Sequence, residues 1–170
     1  MAISTFDGPV RSLGGMYNQG PSNMITLGAT ATLSPAVHGG LICLVPATCA
    51  ITLPTIVATA NTPAAGPGND PNTLNNLGVE YRLFFNAISA GATSQTVTCG
   101  GSDKLVGSLL VSGTTTMAFA SVTGVTITLN ATTTGGAARG SFITLIPLAA
   151  NLFSVNGIVI GSGTVATPFS

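Results

Sequence analysis

Alternation of apolar and polar side chains with a period of two runs through most of this 170-residue chain, and that period belongs to β-strands. Its clearest run is Val79-Glu80-Tyr81-Arg82-Leu83-Phe84-Phe85, which sets Val79, Tyr81, Leu83 and Phe85 on one face and Glu80 and Arg82 on the other. The first four are expected inside and the charged pair outside. Val125-Thr126-Ile127-Thr128-Leu129, Ile51-Thr52-Leu53 and Val97-Thr98-Cys99 alternate in the same way, with β-branched residues dominant. Turn signals at Gly39-Gly40, Gly100-Gly101, Ser112-Gly113, Gly135-Gly136 and Asn156-Gly157 separate the runs. Strong helix formers are scarce: one Glu, one Lys and two Gln. The expected fold is all-β, a single barrel- or sandwich-like domain of about eight to ten strands over residues 25–170.

Residues 1–24 break this pattern. Gly8-Pro9, Gly14-Gly15 and Gly20-Pro21 punctuate the segment, and Phe6, Met16, Tyr17 and Met24 stand between them without a period. We read it as an extended N-terminal arm. A segment that stays solvated is ordinarily charged and poor in aromatics; large apolar residues spaced along flexible backbone suit docking onto a partner. Phe6, Arg11, Met16, Tyr17 and Met24 are the candidate contacts, Arg11 being the arm's one cation. Residues 61–71, rich in Pro, Gly and Asn, read as a surface loop.

What such a chain can do is bounded by its charge. Eight residues are ionised, 5% against the about 25% of an ordinary soluble domain, while 45% are hydrophobic. A 16.7 kDa monomer exposes about 7,600 Å² by surface scaling, so the surface must be hydroxyl- and glycine-rich or covered by protein. The net charge is zero, which excludes the clustered Lys and Arg that phosphate backbones and anionic lipid require. The apolar runs at 41–45, 105–111 and 142–148 fall far short of the about 20 residues of a spanning helix. The first residues lack a basic and apolar leader pattern, so synthesis in a host cytoplasm is expected.

Enzymatic constellations are thin. His38 is the only imidazole, no Gly-x-Ser-x-Gly elbow or Gly-Lys-Ser/Thr loop occurs, and the four carboxylates are scattered. No catalytic role, cofactor or metal site is expected. Cys43, Cys49 and Cys99 are too few for a disulfide scaffold; Cys43 and Cys49 flank Val45-Pro46-Ala47, where a hairpin would bring them together, or all three are buried thiols. Glu80 with Arg82, and Asp103 with Lys104, are candidate inter-subunit pairs setting register at an interface.

The order of the motifs resembles small β-structured virion proteins of tailed bacteriophages. The resemblance is carried by Leu41-Ile42-Cys43-Leu44-Val45 and Ala50-Ile51-Thr52-Leu53-Pro54, which form a strand pair in this reading; by Gly78–Phe85; by Val97-Thr98-Cys99-Gly100-Gly101-Ser102-Asp103-Lys104-Leu105-Val106-Gly107-Ser108; and by Asn151–Gly157 running on to Ala166-Thr167-Pro168-Phe169. It covers about residues 30–170. The resemblance implies a homotrimeric head decoration (cement) protein on the outer capsid surface, its partners being its own copies and the major capsid protein. The arm would reach onto the shell or an adjacent trimer. The alternative it leaves open is a trimeric fibre, knob or adhesin module touching the host.

Overall fold

The computed structural model describes residues 23–58, 76–91 and 95–170. The chain is mostly β, as its alternation predicts, in two mixed sheets. The eleven strands among the described residues are β1 (Met24–Thr26), β2 (Thr30–Thr32), β3 (Ile42–Val45), β4 (Cys49–Thr52), β5 (Tyr81–Phe85), β6 (Gln95–Thr98), β7 (Lys104–Ser112), β8 (Thr116–Gly124), β9 (Thr126–Leu129), β10 (Ser141–Ala149) and β11 (Leu152–Ile160).

The seven-stranded sheet runs β1-β3-β5-β10-β11-β7-β8 and the four-stranded sheet β2-β4-β6-β9. Up to β6 the chain alternates between them strand by strand, so β1, β3 and β5 stack in parallel in the first sheet while β2, β4 and β6 do so in the second. This corrects one expectation. β3 and β4 are adjacent in sequence and separated only by Pro46-Ala47-Thr48, yet they do not pair as a hairpin; each pairs with the strand one coil away. Cys43 and Cys49 therefore belong to different sheets, and all three cysteines are free and buried. After β6 hairpins take over: β7 pairs with β8 and β10 with β11 antiparallel, while β11 lies parallel to β7.

The inward faces follow from the registers. Ile25, Cys43, Leu83, Ile143, Gly157, Leu109 and Phe119 form one row across all seven strands. Ala31, Ile51, Val97 and Ile127 form a row across the other sheet. Residues of both rows belong to one hydrophobic cluster, with Tyr81, Phe85 and Phe153 its bulkiest fully buried members. In β5, Tyr81, Leu83 and Phe85 are inside and Arg82 is outside, as the alternation requires. Gly157 interrupts the large-sheet row because a Cβ there would meet Phe142 O and lie 2.9 Å from Ile143 Cα. Gly107, at φ 137° beside the β7–β8 bulge, is excluded from carrying a side chain by Val155 O.

One helical turn, α1 (Pro35–His38), sits between β2 and β3. Proline at its start needs no N–H partner, and His38 Nδ1 accepts the Ser34 backbone N–H at 3.0 Å. The lone imidazole thus closes its own turn.

Candidate association surface

The two sheets turn opposite chemistry outward. On the four-stranded sheet the outward positions are Thr30, Ala50, Thr96 and Thr128 in one row and Thr32, Thr52, Thr98 and Thr126 in the next. Threonine is β-branched and carries a hydroxyl, so it satisfies strand propensity and water together. On the seven-stranded sheet the corresponding row is Thr26, Leu44, Phe84, Phe142, Ile158, Leu110 and Ala118. Phe84, Phe142 and Ile158 are 38%, 42% and 39% exposed. A mixed sheet with one solvated face ordinarily carries polar side chains there; here an apolar band crosses six adjacent strands, about 24 Å at the usual strand spacing.

The neighbouring outward row is Met24, Ile42, Arg82, Thr144, Asn156, Ser108 and Ala120. Between the two rows lies a hollow of about 160 Å³ lined by Ile42, Arg82, Phe84, Phe142 and Thr144. Arg82 is held within the chain: its Nη2 donates to Gly40 O and its Nε lies 3.6 Å from Glu80 Oε2, both side chains being nearly half exposed. An exposed pair of this kind contributes at most about 1 kcal/mol. It does, however, cancel the two opposite charges beside these rows; Lys104, at the start of β7, stands on the same outward face, six residues along the strand from Leu110.

The other sequence candidates fall elsewhere. Phe6, Arg11, Met16 and Tyr17 lie outside the described residues. Met24, read as the arm's last contact, is the first residue of β1 and stands on the outward face of the large sheet. Asp103 is fully buried, and its Oδ2 accepts the Ile56 N–H at 2.8 Å, tying the segment after β4 to the Gly100–Asp103 turn. Burial removes its carboxylate from the set open to a neighbouring subunit, so the Asp103–Lys104 pair does not stand on the surface as a unit. Lys104 is half-buried at the start of β7.

Sheet edges add a second feature. β1 and β2 are three residues long, and β9 is covered by the C-terminal segment, where Thr128 N donates to Pro168 O and Ser170 N to Thr126 O. β8 is different: nine residues, no charge, no proline and, among the described residues, a single partner strand. Natural sheets shorten, charge or cover such edges. Beside its second half a hollow of about 310 Å³ opens between Ala120–Gly124 and the C-terminal Thr167, Phe169 and Ser170.

Among the described residues no three His, Cys, Asp or Glu side chains gather in a way that could hold a metal ion. The thiols sit inside the core, where burial pushes Cys43 up and Cys49 up to about 11; Cys99 also rises to about 11, through burial and then the Asp103 charge, with Lys104 opposing. Among the described residues no helix is long and apolar enough to cross a membrane.

The outward apolar band escaped the sequence reading because alternation analysis credits only one parity of a strand. Its signal was present in runs apolar at both parities, Leu83-Phe84-Phe85, Phe142-Ile143 and Ile158-Val159, which mark strands covered on both faces. Compared with known proteins, the chain matches no family model, no curated protein and no solved structure.

Proposed function

We propose that this chain is a structural virion protein, a homotrimeric head decoration protein that sits on the outside of an expanded phage capsid and bridges its subunits. The observation that carries the reading is the apolar row that crosses the outward face of the seven-stranded sheet, set against the threonine rows of the other sheet. A chain that places hydroxyls on one outward face and phenylalanines on the other is built to be covered on one side only. The order of the strand motifs supplies the setting, since it resembles phage virion proteins. In this reading the two sheets form one sandwich-like domain that serves as the body of each subunit, and the function is carried by contacts alone, with no substrate or cofactor. Buried apolar area contributes about 25 cal/mol per Å², so many small added contacts reinforce a shell under internal pressure.

The test is the stoichiometry of purified particles. Quantitative mass spectrometry should find this chain in proportion to the major capsid protein, and its density should lie on the outer shell. A copy number that follows the tail proteins instead would replace this reading with that of a fibre, knob or adhesin module. Absence from particles would refute both.

A further inference from the structure

We propose that the outward face of the seven-stranded sheet is the surface through which copies of this chain meet one another, each copy's face covered by those of its neighbours. This rests on the reading of the chain as an assembly subunit and adds which surface does the assembling, leaving the rest of the molecule to the shell and to solvent.

Three observations favour a second copy of the chain over a different partner. The first is electrostatic. Identical faces brought together oppose identical charges, a penalty of several kcal/mol where like charges meet unpaired. On this face Glu80 and Arg82 neutralise one another at 3.6 Å, the remaining positions of the two rows are uncharged, and Lys104 lies six residues along β7 from Leu110, away from the apolar row. Self-association along the apolar row brings no unpaired like charges together, while a partner recognised through opposite charge would find little to read there.

The second is area. The sheet comprises about 50 strand residues, each occupying about 16 Å² of the sheet plane, which makes the whole face roughly 800 Å². That equals the share of one partner in a stable protein interface, roughly 800 Å². The face is therefore large enough to hold an assembly together by itself, without contributions from other parts of the chain.

The third is relief. Phe84, Phe142 and Ile158 stand proud of the sheet on adjacent strands, and the hollow beside them, lined by Ile42, Phe84, Phe142, Thr144 and Arg82, offers a seat of about 160 Å³ for an apolar side chain of the facing copy. Ridge and hollow side by side on one face let each copy's ridge seat in its neighbour's hollow, a heterologous contact that closes into a ring of three. The threonine face is then left outermost, where its hydroxyls meet water.

The experiment replaces the band with the chemistry of the opposite face: Phe84→Thr, Phe142→Thr and Ile158→Thr together, compared with the unaltered protein by light scattering and sedimentation equilibrium across a dilution series. The unaltered chain should hold a mass of about 50 kDa, three times 16.7 kDa. The triple variant should be a folded monomer by circular dichroism, its association weakened by at least about a thousandfold. Hydroxyl-radical labelling of the unaltered assembly, which needs no variant to fold, should show Phe84 and Phe142 protected and β4's exposed positions labelled. An unaltered trimer whose two phenylalanines label freely, or a triple variant that associates undiminished, would overturn the assignment while leaving the decoration reading intact. An unaltered chain that is monomeric at every concentration overturns it too, and the decoration reading then stands or falls on particle stoichiometry. A dimer that collapses on substitution supports the face and corrects the trimer.

Discussion

Gly157 is the position at which the sheet registers can be put to the hardest test. It lies in the middle of β11, opposite Ile143 of β10 and Leu109 of β7, with a ladder on each side. A methyl group at this Cα would run into Phe142 O and sit 2.9 Å from Ile143 Cα, and both are backbone atoms of the adjoining strand. No rotamer change can make room; the β10–β11 ladder has to open. Loss of the two flanking ladder hydrogen bonds costs about 1 kcal/mol each, and overpacking of the surrounding core about 1–3 kcal/mol more. Gly157→Ala should therefore destabilise by about 3–5 kcal/mol, which for a chain of this size lowers the melting temperature by roughly 10 °C. Gly163→Ala is the internal control. Nothing lies within 4 Å of its Cβ position and its φ is outside the left-handed range, so the loss of unfolded-state freedom should make it neutral or stabilising by up to about 1 kcal/mol. Thermal unfolding followed by circular dichroism reads both. Melting of Gly157→Ala within about 2 °C of the unaltered protein would refute the register between β10 and β11 and with it the outward row.

Leu83→Ala, in the fully buried row, should cost about 2–5 kcal/mol in chemical denaturation, whereas Glu80→Gln should change stability by less than about 0.5 kcal/mol; reversal of the two would mean that β5 is out of register by one residue. Burial raises the Cys49 and Cys99 thiols from 9.0 to about 11, so the unfolded chain releases their protons first; their contribution is fully present below pH 9 and is lost as pH rises to 11, on the order of 2–3 kcal/mol each. Melting temperatures that stay flat from pH 7 to 11, or native thiols that react with an aromatic disulfide at pH 8, would contradict this. Val122, 74% exposed on the bare edge strand, should accept Lys with a stability change below about 0.5 kcal/mol, while the charge suppresses light scattering on prolonged incubation; unaltered aggregation would show that the β8 edge is already covered in solution.

The β5 run was legible because Glu80 and Arg82 label its solvent side, leaving one parity for the core. The β6 and β9 strands were legible for a related reason, as threonine marks their outward positions without a charge. The β3–β4 neighbourhood was not. A short Pro46-Ala47-Thr48 link reads as a hairpin turn, but its strands pair with partners one coil distant: Cys43 with Leu83, Ile51 with Val97. No local pattern encodes a pairing across that much sequence. Asp103 misled for the opposite reason. A carboxylate beside a Gly-Gly turn reads as surface, and its burial follows only from the Ile56 N–H, contributed from 47 residues away. Phe84 was hidden in plain sight, assigned to neither face between two core residues.

The alternation of β1 through β6 between the sheets has a mechanical meaning. Leu27-Gly28-Ala29 joins β1 to β2 and Pro46-Ala47-Thr48 joins β3 to β4, so peptide links only three residues long lace one sheet to the other at one end of the molecule. A force that draws two sheets apart normally works against side-chain packing, which yields contact by contact as apolar surface is wetted. Here the same force is passed to short backbone links, which cannot lengthen beyond about 3.6 Å per residue. In the C-terminal half β8 passes to β9 of the other sheet through Val125 alone, so it is laced as tightly; the β10–β11 hairpin has no such link, because both its strands belong to one sheet and 130–140 separate it from β9. Under load the molecule should yield first at the β10–β11 hairpin, with the stitched strands holding until a covalent chain is pulled straight.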